Sequence, residues 1–381
     1  MEDLNKIIVI DNGSSITRAG FSGDECPRSQ FETVVGRSKN PTIDGKNIYC
    51  GDEAVSYLQI TRNYPIEKGI ITNWEDIEIL WHYIFDNELH VDTSEYHVIF
   101  TEVTNNPKPN REKTVQIMFE TFNIPGFYTD AQAIFSLYSY GRSTGIVFES
   151  GGGASSVVPI KEGRPISEGI NIFDISGYDL SVYCSKIMYK NLLPVKTVHP
   201  KGFDIHYFDD LKYRCTYVAL DYEAELQKAK TTSECDISYT LADGNQITIS
   251  DQRFTIPELF FKPNLNDIKS DGIDRVIFNS IMKCDESIRK ELFENIIISG
   301  GNTLFDGLPE RLEKEITKLA PPETKVKVIA QPERKHGAWI GGSIIGCLAT
   351  FPKLVISRDE YNDAGSNIVN IKPKLNCIKE Q

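Results

Sequence analysis

No run of ~18 apolar residues occurs in the 381-residue chain, so no membrane-spanning helix is expected. No apolar N-terminal stretch follows a basic segment, so no secretory leader is expected either. Basic residues are in deficit: 41 Lys and Arg stand against 54 Asp and Glu, for a net charge of −13. A phosphate backbone wants a basic surface, so nucleic acid is not expected as the main partner, although local basic patches remain open. The eight cysteines (26, 50, 184, 215, 235, 284, 347 and 377) include no CxxC pair, and no histidine falls at zinc-ligand spacing. They read as free thiols, most of them small buried hydrophobes. There is no low-complexity tract and no linker typical of tethered domains. Apolar residues, by contrast, are ample at 40%. The length exceeds what one compact core usually holds, which predicts two lobes.

Two stretches stand out. Ile7-Ile8-Val9-Ile10 reads as a strand buried on both faces. It breaks at Asp11-Asn12-Gly13-Ser14, which is turn chemistry, and apolar residues resume from Ile16 through Ala19 to Phe21. The pattern predicts a hairpin whose tip offers backbone N–H groups, with a glycine that lets an anion approach closely. Asp11 cannot hold phosphate, but it can hold a hydrated Mg²⁺, which keeps its waters and takes few protein ligands. An ordinary hairpin turn reads equally well from this stretch alone. The segment from Thr144 to Ile160 repeats the grammar: strand, Glu149, a Ser150-Gly151-Gly152-Gly153 tip, and a returning strand. Two such hairpins suggest an internal duplication. Facing each other across a cleft, they would clasp a triphosphate.

Further runs carry a resemblance. They are Gly51-Asp52-Glu53-Ala54, Thr72-Asn73-Trp74-Glu75-Asp76, Asn106-Pro107-Lys108-Pro109-Asn110-Arg111-Glu112-Lys113, and Gln116 to Asn123. Later come Phe278 to Asp285, Pro332-Glu333-Arg334-Lys335, and Trp339-Ile340-Gly341-Gly342-Ser343. With the first hairpin, these resemble actin nearly end to end, and more broadly the superfamily it shares with sugar kinases and heat-shock chaperone ATPases. The chain looks closer to conventional actin than to the distant actin-related proteins. The resemblance implies an α/β fold of the actin, heat-shock chaperone and hexokinase type. Two duplicated RNase H-like lobes would flank a nucleotide cleft, each with an inserted subdomain. Residues 1–139 and 336–381 would form the first lobe, with an insertion at about 33–65; 140–335 would form the second, with an insertion at about 177–268. Helices are expected from Trp74 to Phe85 and from Arg111 to Phe122, and a strand from His97 to Glu102.

The resemblance also implies ATP or ADP with Mg²⁺ or Ca²⁺ as ligands. Gly13, Ser14, Ser15 and Arg18 match actin's first phosphate loop, with Arg18 in place of a lysine; Gly151, Gly152 and Gly153 match the second. Asp11 would hold the metal through water. Gln132 would orient the attacking water, with Glu149 as the second catalytic group. Lys212, Gly300, Gly301, Leu304, Phe305 and Lys335 would line the nucleoside. Several positions depart from the pattern. Gly152 replaces a carboxylate, Ser156 replaces a water-positioning histidine, Tyr213 replaces a ribose-binding glutamate, and Asp209 replaces an arginine. Positioning supplies most of the catalysis in phosphoryl transfer, so slowed hydrolysis is expected. The loop from Gly36 to Tyr49 is shorter than actin's and keeps only Ile43 and Ile48 as apolar candidates. The segment Leu265-Asn266-Asp267-Ile268, at the place of actin's cross-strand plug, has gained polar residues. Both changes imply weakened filament contacts, whether with itself or with conventional actin. Actin-binding proteins are expected near Tyr138, Ile345 and Leu348. The resemblance implies a cytoplasmic, cytoskeletal protein, with the nucleus also open.

Overall fold

The computed structural model describes residues 6–39, 45–57, 60–191, 208–241 and 244–372. Its framework is two sheets with one repeated plan. In the first, β1 (Ile7–Asn12) pairs antiparallel with β2 (Ile16–Phe21), which pairs antiparallel with β3 (Ser29–Glu32). On its other side β1 pairs parallel with β4 (His97–Glu102), and β4 with β5 (Gly126–Ala131). The short strand Ile356–Ser357 closes that edge. In the second sheet, β6 (Gly145–Ser150) pairs antiparallel with β7 (Ser155–Lys161) and parallel with β8 (Ile296–Ser299). β9 (Val328–Ile329) then pairs parallel with β8. The central strand of each half is therefore flanked by an antiparallel hairpin mate, as the repeated sequence grammar suggested, and by a parallel neighbour.

The apolar runs explain the layers. Ile7, Ile8, Val9 and Ile10 are all buried, because helices or loops cover both faces of β1. Ile8 and Ile10 join a core with Trp81, Phe85, Phe100 and Phe119. Ile7 and Val9 pack the other way, with Phe135, Trp339 and Phe351. The second sheet buries Ile146, Phe148, Ile296 and Ile298 with Phe260 and Phe305.

Two helices join the halves. α1 (Gln132–Ser139) leaves β5 of the first sheet, yet Ala133, Ile134 and Leu137 pack against Val147, Val158 and Ile297 of the second. α2 (Gly337–Gly346) returns to the first sheet, and the Trp339 indole N–H donates to the Val9 carbonyl at 3.0 Å. The helices touch backbone to backbone: a Cβ on Gly341 would lie 1.8 Å from the Phe135 carbonyl oxygen.

The expected helices occur with shifted bounds. The first runs Trp74–His82, capped by the Asn73 side chain accepting from the Asp76 N–H at 3.1 Å, and continues as a wider turn over Tyr83–Glu88. The second runs Lys108–Glu120, three residues earlier than expected, because Pro107 caps it and Pro109 is tolerated in the first turn. In the first inserted stretch Val35–Arg37 and Ile48–Cys50 pair as strands. Ile48 is exposed there, and Ile43 lies outside the described residues. Seven cysteines are free; Cys377 lies outside the described residues. Among the described residues no helix is long and apolar enough to cross a membrane, and no cluster of metal-ligating side chains occurs.

Candidate nucleotide cleft

The two hairpin tips match residue for residue. Gly13 N–H donates to the Ile16 carbonyl at 3.1 Å, and Gly151 N–H donates to the Ala154 carbonyl at 2.9 Å. Registers agree as well: Asp11 faces Arg18 across the first hairpin, and Glu149 faces Ser156 across the second. On the parallel side Asp11 aligns with Thr101, and Glu149 with Ser299. Each half thus presents an acid at the end of its central strand, with a hydroxyl on the neighbour.

The tips meet. A Cβ on Gly152 would lie 2.0 Å from Ser15 Oγ, and one on Gly153 would lie 2.4 Å from Ser14 Oγ. Carbonyls at the second tip face away from this contact. The Gly151 carbonyl accepts from Asn302 Nδ2 at 2.7 Å and from Gly177 N–H at 3.0 Å, and the Gly152 carbonyl accepts from Tyr178 N–H at 2.8 Å. At the first tip the Gly13 and Ser15 carbonyls accept from Thr33. The N–H groups of Ser14, Ser15, Gly152 and Gly153 find no acceptor among the described residues. A third turn completes the enclosure. Lys68 and Gly69 take the left-handed conformation, with φ of 49° and 78°, between two short strands, and Gly69 N–H donates to Ser14 Oγ at 2.8 Å. A cavity of about 600 Å³ opens beside the tips, lined by Ser14, Ser15, Lys68, Gly152, Gly153 and Asp179 among others. A separate cavity of about 30 Å³ behind the first hairpin, lined by Asn12, Glu102 and Arg111, has room for about one water.

The paired acids differ sharply. Asp11 is buried, and its carboxylate accepts from Arg18 Nη1 at 3.1 Å, from Gln132 Nε2 at 2.9 Å and from Thr101 Oγ1. Glu149 has only Ser156 opposite it, so no cross-strand cation compensates its charge. Its carboxyl turns down into the floor of the cleft, accepting from Ser136 Oγ on α1 at 2.7 Å, with Ser299 alongside. The residue as a whole is half-buried. Burial pushes this carboxyl up from the usual range to about 7, with the hydroxyl hydrogen bonds and distant Arg18 pulling back and Asp11 adding to the rise. Ser156 meets Thr104 of the first half, Oγ to Oγ1, at 3.3 Å.

The nucleoside-lining set is only partly brought together. Gly300 takes φ 92°, because any Cβ there would lie 2.2 Å from the Ser150 carbonyl oxygen. A Cβ on Gly301 would meet open space. Leu304 and Lys335 are exposed. Phe305 instead turns into the second core against Phe260, since it is the side chain that continues that sheet's apolar layer. Lys212 is also sequestered: it is fully buried, bonded to the Gly177 carbonyl and Ser181 Oγ and paired with Asp209 at 3.0 Å. Asp209 lies three residues earlier on the same helix.

A family model described as Actin matches residues 2–374. The chain belongs to the actin family. That membership accounts for the repeated-sheet α/β fold and makes this an actin-like, ATP-binding protein, since members of the family bind nucleotide with a divalent cation. Actin self-association and actin-binding partners follow as the family's associations. One expected partner residue needs correction. Ile345 is wholly buried in the core with Trp339 and Phe351, because it lies on the inner face of α2. Ile344 is exposed instead, and Tyr138 and Leu348 are half-buried. Sequence reading also passed over Thr101, Ser136 and Ser299. The first and third were legible as hydroxyls ending strands beside the two acids.

Proposed function

We propose that the cleft binds ATP and ADP with Mg²⁺ or Ca²⁺, and that the protein acts as a divergent actin with slowed hydrolysis. The observation that carries this reading is the set of four N–H groups on Ser14, Ser15, Gly152 and Gly153 with no acceptor among the described residues, two from each of two tips that touch. Clustered turn amides of this kind can form an anion cradle. Arg18 adds positive charge beside it. Asp11 and Gln132 fit a hydrated cation, which would draw its remaining ligands from phosphate and water; when bound it neutralises phosphate charge. The lobes, 1–139 with 336–381 against 140–335, would close on the ligand through α1 and α2.

Three features support slow chemistry. The Gln132 amide is engaged by Asp11, the Glu149 carboxyl faces the floor, and Ser156 offers only a hydroxyl bonded to Thr104. Poor positioning of the attacking water is expensive in phosphoryl transfer. For assembly, Leu265 and Ile268 pack onto the protein's own core, leaving little apolar surface to give a partner strand. This favours a filament-end or co-assembling subunit over robust self-polymerisation. The orientation of Glu149 also favours a second reading, an actin-related scaffold subunit that holds ATP as a structural part.

The deciding experiment is sedimentation with ATP and Mg²⁺, alone and with conventional actin, with phosphate release read in the same tube. Pelleting alone with brisk phosphate release would refute the slowed-hydrolysis reading. Soluble protein retaining unhydrolysed ATP supports it. Co-pelleting then separates the co-assembling subunit from the scaffold.

A further inference from the structure

A polar rung crosses the first sheet just behind its tip. Asn12 and Thr17 form the last pair before the turn, and Asp11 and Arg18 form the pair behind it. Arg18 in turn faces Gln30 of β3, the outer strand of that sheet. Residues directly opposite one another project from one face, so Asp11, Arg18 and Gln30 stand side by side. Their side chains are joined in the same order. Arg18 Nη1 donates to Asp11 Oδ2 at 3.1 Å, and Arg18 Nε donates to Gln30 Oε1 at 3.2 Å. Exposure rises along the rung: Asp11 is buried, the Arg18 side chain is 14% exposed, and Gln30 lies open. The matching rung of the second half has no such device. There Glu149 faces Ser156, and Ser156 faces the exposed Ile172.

The guanidinium is therefore held from both flanking strands, at Nε by Gln30 and at Nη1 by Asp11. Its third nitrogen, Nη2, has no acceptor among the described residues. Arg18 lies two residues into β2, about 7 Å of strand from the tip, and keeps its charge at any working pH. Asp11 Oδ2 takes one N–H from it and has a lone pair left for another. Arginine and carboxylate favour paired contacts, so a guanidinium released at Nε would turn Nη2 onto Asp11 as well. Gln30 is the group that opposes this turn.

We propose that Gln30 is a positioning residue for the phosphate site: by accepting from Arg18 Nε, it keeps Nη2 off Asp11 and available to an oxygen of the bound phosphate chain. This rests on the nucleotide reading above. It adds to that reading an uncharged residue on an outer strand, acting only through Arg18.

The test is a double-mutant cycle on the full chain. Titration calorimetry with adenosine, ADP and ATP in Mg²⁺ compares the wild type, Gln30→Met, Arg18→Lys and the double variant. Methionine keeps the length of the side chain and removes the acceptor, and at an exposed site it should barely move the melting temperature. Gln30→Met should weaken ADP and ATP by roughly fivefold, the scale of one hydrogen bond, and leave adenosine within about twofold. Lysine has no Nε for Gln30 to hold, so in the Arg18→Lys background the methionine should change ATP binding less than about twofold. No loss in Gln30→Met, equal losses for adenosine and ATP, or the same loss in both backgrounds would each overturn the proposal. Should the wild type bind neither ADP nor ATP, the nucleotide reading fails and takes this inference with it. Tight wild-type binding indifferent to Gln30 sinks only this inference.

Discussion

Glu149→Gln isolates the cost of the acid that has no cation opposite it. Gln keeps the acceptor for Ser136 and Ser299 but cannot ionise. In the folded chain the carboxyl is lifted from 4.5 to about 7. Below about pH 4.5 it is protonated in both folded and unfolded chains and costs nothing. As pH rises from there to about 7, the unfolded chain gives up its proton first. The folded state then binds more protons than the unfolded, so stability falls with rising pH across that window and the full penalty stands above it. At about 1.4 kcal/mol per pH unit the penalty reaches roughly 3 kcal/mol, trimmed to roughly 1–3 kcal/mol because part of the residue meets solvent. His336 slopes the other way: lowered to about 4, chiefly by burial, it adds stability as pH rises through the interval from 4 to 6.5. The variant must therefore be compared with the wild type at each pH, which cancels the histidine. Urea unfolding of the ligand-free chain at pH 5, 6, 7 and 8 should show the two proteins nearly equal at pH 5. At pH 8 the variant should lead by roughly 1–3 kcal/mol. Parallel profiles, or a wild type that is more stable at pH 8, would show that the carboxyl is not buried uncompensated as described.

Three other perturbations have defined outcomes. Gly341→Ala puts a methyl 1.8 Å from the Phe135 carbonyl oxygen where α1 and α2 touch, and should lower stability by about 3 kcal/mol in denaturant unfolding. Arg311→Met should cost about 3 kcal/mol, because it leaves the wholly buried Glu258, which its guanidinium holds at 3.2 Å, with only the Lys262 ammonium 3.9 Å away, and adding Glu258→Gln should recover much of the loss. Gly152→Ala introduces a Cβ 2.0 Å from Ser15 Oγ and 2.8 Å from Ser15 Cβ. It should lower the melting temperature of the ligand-free chain more than that of the ATP-loaded chain, in which phosphates would part the tips; equal losses would contradict an anion seated there.

How much was legible follows the range of the interactions. The buried runs, the turn residues and their repetition are local, and both hairpins formed as read, with Gly13 and Gly151 closing matched turns; Asp11, Asn12 and Ser150, read as turn residues, instead end the central strands Ile7–Asn12 and Gly145–Ser150. The first expected helix begins at Trp74 as read, whereas the second begins three residues early because Pro107 serves as its cap, a role that only neighbouring backbone decides. The site was less legible because its chemistry depends on register across strands. That Asp11 meets Arg18 while Glu149 meets Ser156 follows from one count of residues around two equal turns, and that count was open to sequence reading once the duplication was seen. The sequestering of Lys212 was not, since it depends on Ser181 and Asp209 converging from two separate helices. Register also bears on what each acid can do. A hairpin whose acid is matched by a cation keeps that acid charged at the cleft, whereas one whose acid is matched by serine lets it withdraw to hydroxyls in the floor. Ser156 opposite Glu149 thus leaves that acid without a cation that could hold it toward a ligand; on the reading proposed above, this would add to the loss of a water-positioning group in slowing hydrolysis.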